Sequence, residues 1–462
     1  MTAPVNILWT AQAVADATGG KAHGAFKASG VAFDSREVGP GDLFIALKGE
    51  QADGHEFVER AFAAGAAAAV VDRTVRGSHV QVADTTDALV ALGLAARART
   101  DARIIGVTGS VGKTGTKEAL WQALDRKAPG LAHRSVKSYN NHVGVPLSLA
   151  RMPADSRFGI FEMGMNHAGE LSALTRLVRP HVAIVTTIAP AHIGHFGTLE
   201  AIADAKAEIF EGLEPGGTAI IPADSPFAAR LYNKALRYAD DVVTFGFNRD
   251  ADVRVLDQVP ANNGGTLVTA RLRGAHISFN IAAPGRHWVS NALAIMAAVE
   301  AAGGDLGLAG LALAEMPGLR GRGERTHVRV DGGEYLLIDE SYNANPASME
   351  ATLAQLGQEQ AGRRIVILGA MKELGEQSDA LHAGLAGPIG EAGISDAILV
   401  GEEMEPLARA LEGTVALRHV PDAQAAIDTV RPLLRAEDVV LVKGSNSIGL
   451  SRLVAAIAGG DS

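Results

Sequence analysis

The stretch Ile104-Ile105-Gly106-Val107-Thr108-Gly109-Ser110-Val111-Gly112-Lys113-Thr114 decides the fold. A short β-branched run gives way to glycines, then to Lys-Thr, then to a helix-forming segment from Lys117 to Arg126. That is the order strand, phosphate loop, helix N-terminus, in which glycines let backbone N–H groups close on phosphate oxygens. Lys113 adds a point charge, and the hydroxyl of Thr114 suits Mg2+. The common phosphate loop carries a glycine where Val107 stands here; the shortened pattern Gly109-x-x-Gly112-Lys113-Thr114 remains. An ordinary tight turn is the plain alternative, but Gly-Lys-Thr between a buried strand and a helix favours ATP or GTP.

Working outward, 462 residues leave room for roughly three domains. A hydrophobic share of 47% against 20% charged residues is that of a well-cored globular chain, and 53 glycines with few aromatics suit α/β turns. The net charge of -10 disfavours nucleic acid as a partner. Cysteine is absent, so disulfides and thiolate catalysis are excluded. Residues Met1 to Gly20 lack the basic-then-apolar order of a signal peptide. The apolar run from Ala61 to Val71 is too short to span a bilayer. The expectation is a cytoplasmic protein with no membrane partner, acting as a monomer.

Residues 1–102 read as a small α/β unit with strands at Val31–Phe33, Asp42–Leu47, Ala67–Val71 and His79–Val82. The polar groups Asp34-Ser35-Arg36 and Lys48 to His55 follow strand ends, where α/β ligand sites sit. A larger α/β domain of mainly parallel sheet is expected over 103–317. There Ser138 to Pro146, with Asn140 and Asn141, is a polar loop entering a helix, and Phe158 to Gly164 is a strand ending on Glu162. His181 to Ile188 is a further strand, followed by His192. Glu162, at a strand end, is a natural Mg2+ carboxylate. Thr114, Glu162 and His192 gain weight together because all three fall at carboxyl ends of neighbouring strands. A helical lysine such as Lys206 reads as solvated. Beyond Gly217, Val242–Phe247, Thr266–Leu272 and His276–Ile281 suggest an antiparallel appendage. Gly285 to Asn291 opens an Ala-rich helix to about Ala302. Gly318 to Gly323, basic and glycine-rich, is the linker candidate. Over 318–462, strands at Tyr335–Ile338, Ile365–Leu368, Ala397–Val400 and Val439–Val442 alternate with helices, a βαβ pattern. Asp339 to Pro346 crowds hydrogen-bonding groups at one strand end; helix caps or a nucleoside contact both fit. Lys443 to Ser447 closes the last strand and suits an anion.

With these residues in view the chain resembles the Mur ligases, the ATP-dependent amide-forming enzymes of peptidoglycan assembly. The likeness rests on Asp34-Ser35-Arg36 with the Gly41–Leu47 strand, Thr108 to Thr114, and Asn140-Asn141 through Pro146. It continues through Glu162-Met163-Gly164, His192 to Gly197, Ala205 to Phe210, Asn291, Gly321 to Glu324, and Ser341 to Pro346. The shortened phosphate loop is the form this family uses. The resemblance implies an N-terminal UDP-sugar-binding domain, a central ATPase domain and a C-terminal Rossmann-like domain. It implies ATP and Mg2+, and the joining of D-alanyl-D-alanine to UDP-MurNAc-tripeptide through an acyl phosphate. By the same likeness Lys113, Glu162, His192 and Lys206 are catalytic. Thr108, Gly109, Ser110, Val111, Gly112, Lys113, Thr114, Asn291, Arg322, Asp339, Asn343 and Asn345 meet the nucleotide. Asp34, Ser35, Arg36, Lys48, Asn140 and Asn141 meet the other substrate. Thr114, Glu162, His192 and Lys206, the last as a carbamate, hold metal. Two positions depart from the family pattern: Asn446 where Arg is common, and Glu340 where a second Asp is usual. The rival readings are a sibling ligase adding the third amino acid, a folylpolyglutamate synthase, and a switch protein that hydrolyses nucleotide without ligation. The sibling's Asp-Asn-Pro-Arg string is absent here.

Overall fold

The computed structural model describes residues 6–49, 52–190, 193–261, 265–283, 285–316 and 318–459. Three main sheets follow one another along the chain, with five, nine and six strands, beside a two-stranded ribbon near the start.

In the first sheet the strands Gly30–Ala32, Asp42–Ile45, Ala68–Val71 and His79–Gln81 run parallel, and Lys21–His23 pairs antiparallel at the edge. The helix Thr85–Ala98 starts at Asp84, whose side chain accepts from the N–H groups of Thr86 and Asp87. Leu89, Leu92 and Ala96 on that helix pack with Leu43, Ile45, Val70 and Val80 of the sheet. Its other face meets the helix Gly144–Ala150. Gly93 makes this approach possible, since a Cβ there would lie 3.0 Å from the carbonyl of Pro146.

The central sheet is ordered His276–Ile281, Thr266–Arg271, Val253–Pro260, Asp241–Gly246, Thr218–Pro222, Val182–Val185, Arg103–Thr108, Phe158–Glu162, Ala132–Arg134. It is parallel from Ala132–Arg134 across to Val253–Pro260, and antiparallel only beyond that strand. The expected antiparallel appendage is therefore smaller than the sequence suggests. Residues Asp241–Gly246 pair parallel with Thr218–Pro222, and Val253–Pro260, unforeseen, begins the meander. Helices cover both faces, so the strands read as continuous apolar runs. Ile104 packs into one apolar cluster and Ile105 and Val107 into the other.

The third sheet is ordered Glu324–Val330, Gly333–Glu340, Asp438–Lys443, Arg363–Gly369, Asp396–Val400, Ala416–Val420. All neighbours are parallel except the first pair. The central and third units touch away from the cleft, where Gly194 donates to the Glu373 carbonyl at 3.3 Å. A Cβ on Gly194 would meet the Gly375 backbone at 3.0 Å.

Candidate active site

The strand Arg103–Thr108 lies between Val182–Val185 and Phe158–Glu162, so the chain leaves its carboxyl end in opposite directions on the two sides. An α/β sheet opens its ligand crevice at such a switch point. The loop Gly109 to Gly112 sits there, and the helix that follows begins at Lys113, not at Lys117 as the composition suggests.

This loop is held from behind. Ser110 donates its hydroxyl to the Ala189 carbonyl at 2.9 Å and accepts from the Ala189 N–H at 3.0 Å. Thr186 donates to the carbonyl of Val111 at 2.6 Å. Gly109 and Gly112 have φ of +149° and +88°, where a side chain is strained. A Cβ on Gly109 would fall 1.9 Å from Thr186 Oγ1, and one on Gly112 would come 2.9 Å from the Asn291 amide. Lys113 Nζ folds back onto the Gly109 carbonyl at 2.7 Å. Desolvation pushes the Lys113 ammonium toward its neutral form; Glu162 opposes this and Arg322 adds to it.

Glu162 is buried at the end of its strand. Its Oε2 accepts from Thr114 Oγ1 at 2.8 Å, and its Oε1 accepts from Asn140 Nδ2 at 2.8 Å. Lys206, far from solvated, is 2% exposed on the helix Leu199–Ala207. Its amine is driven well below the usual lysine range, by burial first and by the charge of Lys113 second. His192 lies outside the described residues.

A cleft of about 520 Å³ gathers these groups. Ser110, Val111, Gly112, Lys113, Asn140, Glu162, Lys206 and Asn291 line it from the central unit, and Arg322, Asn343 and Asn345 line it from the third. Other expected residues stand elsewhere or, like Asn345, also serve the fold. Thr108 is buried behind the loop, and Gly109 faces Thr186. Thr114 borders a neighbouring cavity with Lys137, Tyr139, Arg320 and Tyr342. The Asp339 carboxylate is spent on the backbone N–H groups of Gly321 and Ser341, at 2.9 and 3.0 Å. It thereby shapes the turn that carries Arg322. Asn345 caps the helix Pro346–Gly357, with Ser348 closing a capping box. Asn141 accepts from the Gly144 N–H at 2.9 Å and so starts the helix Gly144–Ala150.

On the N-terminal unit Asp34 grips Arg36 through its guanidinium and its backbone N–H. That contact, above all, holds the Asp34 carboxyl at about 2. Ser35 is buried beside them, and Lys48 pairs with Asp72. Burial alone would raise the Glu37 carboxyl, but its contacts with Lys137 and Tyr139 outweigh this and hold it below the usual range. The Tyr139 hydroxyl donates to Glu37 at 2.9 Å.

Sequence reasoning gave no site role to Ser138, His287, Trp288 and Tyr342, and noted Glu340 only as a departure; all five also line the cleft. The Arg322 guanidinium lies 4.1 Å from the centre of the Tyr342 ring. The departure Glu340 receives Lys443 Nζ at 3.3 Å, and Asn446 faces the same space. An aromatic at the start of an Ala-rich helix was the available signal for Trp288.

A glycine-rich loop at a helix start, a buried carboxylate and a cleft wall from a separate sheet are joined in one chain, and the chain belongs to the Mur ligase family, a family of ATP-dependent ligases. Residues 27–75 match the family's catalytic domain, 107–299 the Mur ligase middle domain, and 321–446 the glutamate ligase domain. More particularly, it is 31% identical to the UDP-N-acetylmuramoyl-tripeptide–D-alanyl-D-alanine ligase of Rickettsia prowazekii, over 97% of this chain and 99% of that one. Among solved structures it is similar to MurF from Acinetobacter baumannii, with a TM-score of 0.84, 30% identity, and 97% and 98% of the two chains covered. MurF from Thermotoga maritima in complex with ADP superposes with a TM-score of 0.76 at 25% identity, covering 93% and 97%.

Proposed function

We propose that this chain joins D-alanyl-D-alanine to the terminal carboxylate of UDP-MurNAc-tripeptide at the expense of ATP, giving the UDP-MurNAc-pentapeptide of peptidoglycan synthesis, ADP and phosphate. The observation that carries the reading is the convergence of Lys113, Glu162 and Lys206 with Arg322 and Asn343 in one cleft, in a Mur ligase whose relatives of that activity match it end to end. A carboxylate is a poor electrophile. Its oxygen first takes the γ-phosphoryl group, breaking the bond to the ADP oxygen; the dipeptide amine then attacks the acyl carbon and phosphate leaves. Each step concentrates negative charge, which Lys113 and Arg322 face.

In this reading residues 1–102 hold the UDP-sugar, 103–317 the ATP, and 318–462 close over the nucleotide. Asn291, packed against Gly112, meets the nucleoside. Asp34, Ser35, Arg36 and Lys48 meet the uridine diphosphate. The donor set suits Mg2+: Glu162 and Thr114 offer hard oxygens, and Mg2+ characteristically takes one or two carboxylates with substrate phosphates and water. When bound, it neutralises charge on the transferring phosphate. Among the described residues no group of three His, Cys, Asp or Glu side chains stands ready for a metal. A carbamate on Lys206 would add a further oxygen ligand, formed when the neutral amine attacks CO2 and releases a proton. A carbon-13 signal from labelled bicarbonate, present in the native chain and absent in Lys206→Met, is the expected mark of it. No helix among the described residues is long and apolar enough to cross a membrane; we take the enzyme to be cytoplasmic and to act as a monomer.

Mass spectrometry tests the function: incubation with ATP, the UDP-tripeptide and D-alanyl-D-alanine should yield the pentapeptide. A product carrying a single added amino acid from an amino-acid mixture, and none from the dipeptide, would favour the sibling ligase instead.

A further inference from the structure

On the helix Lys113–Lys127, Thr114, Lys117, Glu118 and Trp121 fall at i, i+3, i+4 and i+7, a single stripe. This polar stripe is turned inward. Trp121 donates to the Ala132 carbonyl at 2.9 Å, Glu118 pairs with Arg134 at 2.8 Å, and Thr114 reaches Glu162. Lys117 is fully buried. Its ammonium donates to the Lys137 carbonyl at 2.7 Å, lies 2.9 Å from Glu118 Oε1 and 4.0 Å from Glu162 Oε2.

What Lys117 grips is a crossroads. Lys137 has φ of +52°, a left-handed backbone that a non-glycine residue seldom adopts, and its carbonyl is the one that Lys117 takes. The next side chains reach different parts of the molecule. Lys137 and Tyr139 go to Glu37 on the N-terminal unit, Ser138 accepts from Arg322 of the third unit at 3.3 Å, and Asn140 donates to Glu162. A shift of Lys137 to satisfy an anion in place of Glu37 would move the carbonyl on Lys117, and with it the cation facing Glu162.

We propose that Lys117 is a positioning residue that couples occupancy of the UDP-substrate site to the phosphate loop through the Lys137–Asn140 crossroads. This rests on the substrate assignment above. Lys117 itself touches neither substrate, so its loss should weaken communication more than either binding event.

Calorimetry on the full chain reads this directly. UDP-MurNAc-tripeptide is titrated with and without Mg2+ and a non-hydrolysable ATP analogue, and the ratio of the two affinities is the coupling factor, expected at about fivefold or more in the native chain. Lys117→Met should bring the factor to within about twofold of unity, and Lys117→Arg should restore part of it. Glu37→Gln, at a contact near the surface, cuts the same chain of contacts at its other end and should do likewise if Lys117→Met fails to fold. A native coupling factor retained in Lys117→Met, or in Glu37→Gln where the former does not fold, overturns the proposal, as does a native chain that binds both ligands with no coupling. A native chain that binds nucleotide but not the UDP-tripeptide instead rejects the substrate assignment, and this proposal with it.

Discussion

Thr114 Oγ1 donates to Glu162 Oε2 at 2.8 Å, joining the first turn of the phosphate-loop helix to the end of the neighbouring strand. With Asn140 on the other oxygen, the carboxylate is fixed before any ligand arrives. Glu162→Gln keeps the size and removes the charge. It should lower kcat by about a hundredfold or more, the scale of losing one preorganised electrostatic group, and leave the melting temperature within a few degrees. Steady-state ATP turnover across a Mg2+ series, with thermal melts alongside, checks this; unchanged turnover would remove Glu162 from the site.

Lys113→Ala should abolish turnover and leave binding of the UDP-tripeptide within a few-fold of native. The amine bonds to the loop carbonyl of Gly109, whereas Asp34 and Arg36 bond to each other on the N-terminal unit. Loss of both functions together, measured by phosphate release and calorimetry, would contradict the division of labour between the two sheets.

Gly112→Ala faces two penalties. The left-handed backbone costs a side chain about 1 kcal/mol, and the new Cβ meets the Asn291 amide at 2.9 Å. Together these should weaken nucleotide binding by about tenfold or more, with the UDP-substrate affinity unchanged. Adding Asn291→Ala should relieve the clash but not the backbone strain; if nucleotide affinity does not fall in Gly112→Ala, the loop is looser than its packing against Asn291 and Thr186 indicates.

Asp34 gives a pH signature. Its folded-state carboxyl sits at about 2, held there first by the Arg36 hydrogen bond. A depressed carboxyl contributes stability that is present above the unfolded value of about 3.9 and is lost as pH falls toward the folded one. The melting temperature of the native chain should exceed that of Asp34→Asn at neutral pH, by a small margin because the pair is partly solvated. The gap should close between about pH 4 and pH 2, and shrink with added salt. A gap that widens on acidification would contradict the pairing.

The strand Arg103–Thr108, its loop and Glu162 were legible because a fully buried parallel strand writes an unbroken apolar run that ends where the ligand begins. Strands Glu324–Val330 and Val253–Pro260 were not: the first alternates exposed and covered residues and intersperses charge with apolar side chains, and the second is exposed throughout from Leu256 to Pro260. Lys206 misled by pattern, since a helical lysine is solvated unless tertiary contacts bury it, and Lys117 drew no reading for the same reason: no local pattern carries those contacts. Asp339 and Asn345 fitted both a cap or turn and a nucleoside contact; their side chains hold the Gly321–Ser341 turn and a helix cap, and Asn345 lines the cleft as well. Asn446 lines the cleft together with Arg322 and with Lys443, the last already engaged by Glu340.

Phosphate release tests the central claim most directly. With ATP, Mg2+ and UDP-MurNAc-tripeptide present, release should stay near background until D-alanyl-D-alanine is added, then rise in step with pentapeptide. Release that proceeds at the same rate with or without the dipeptide would contradict ligation and leave a nucleotide hydrolase in its place.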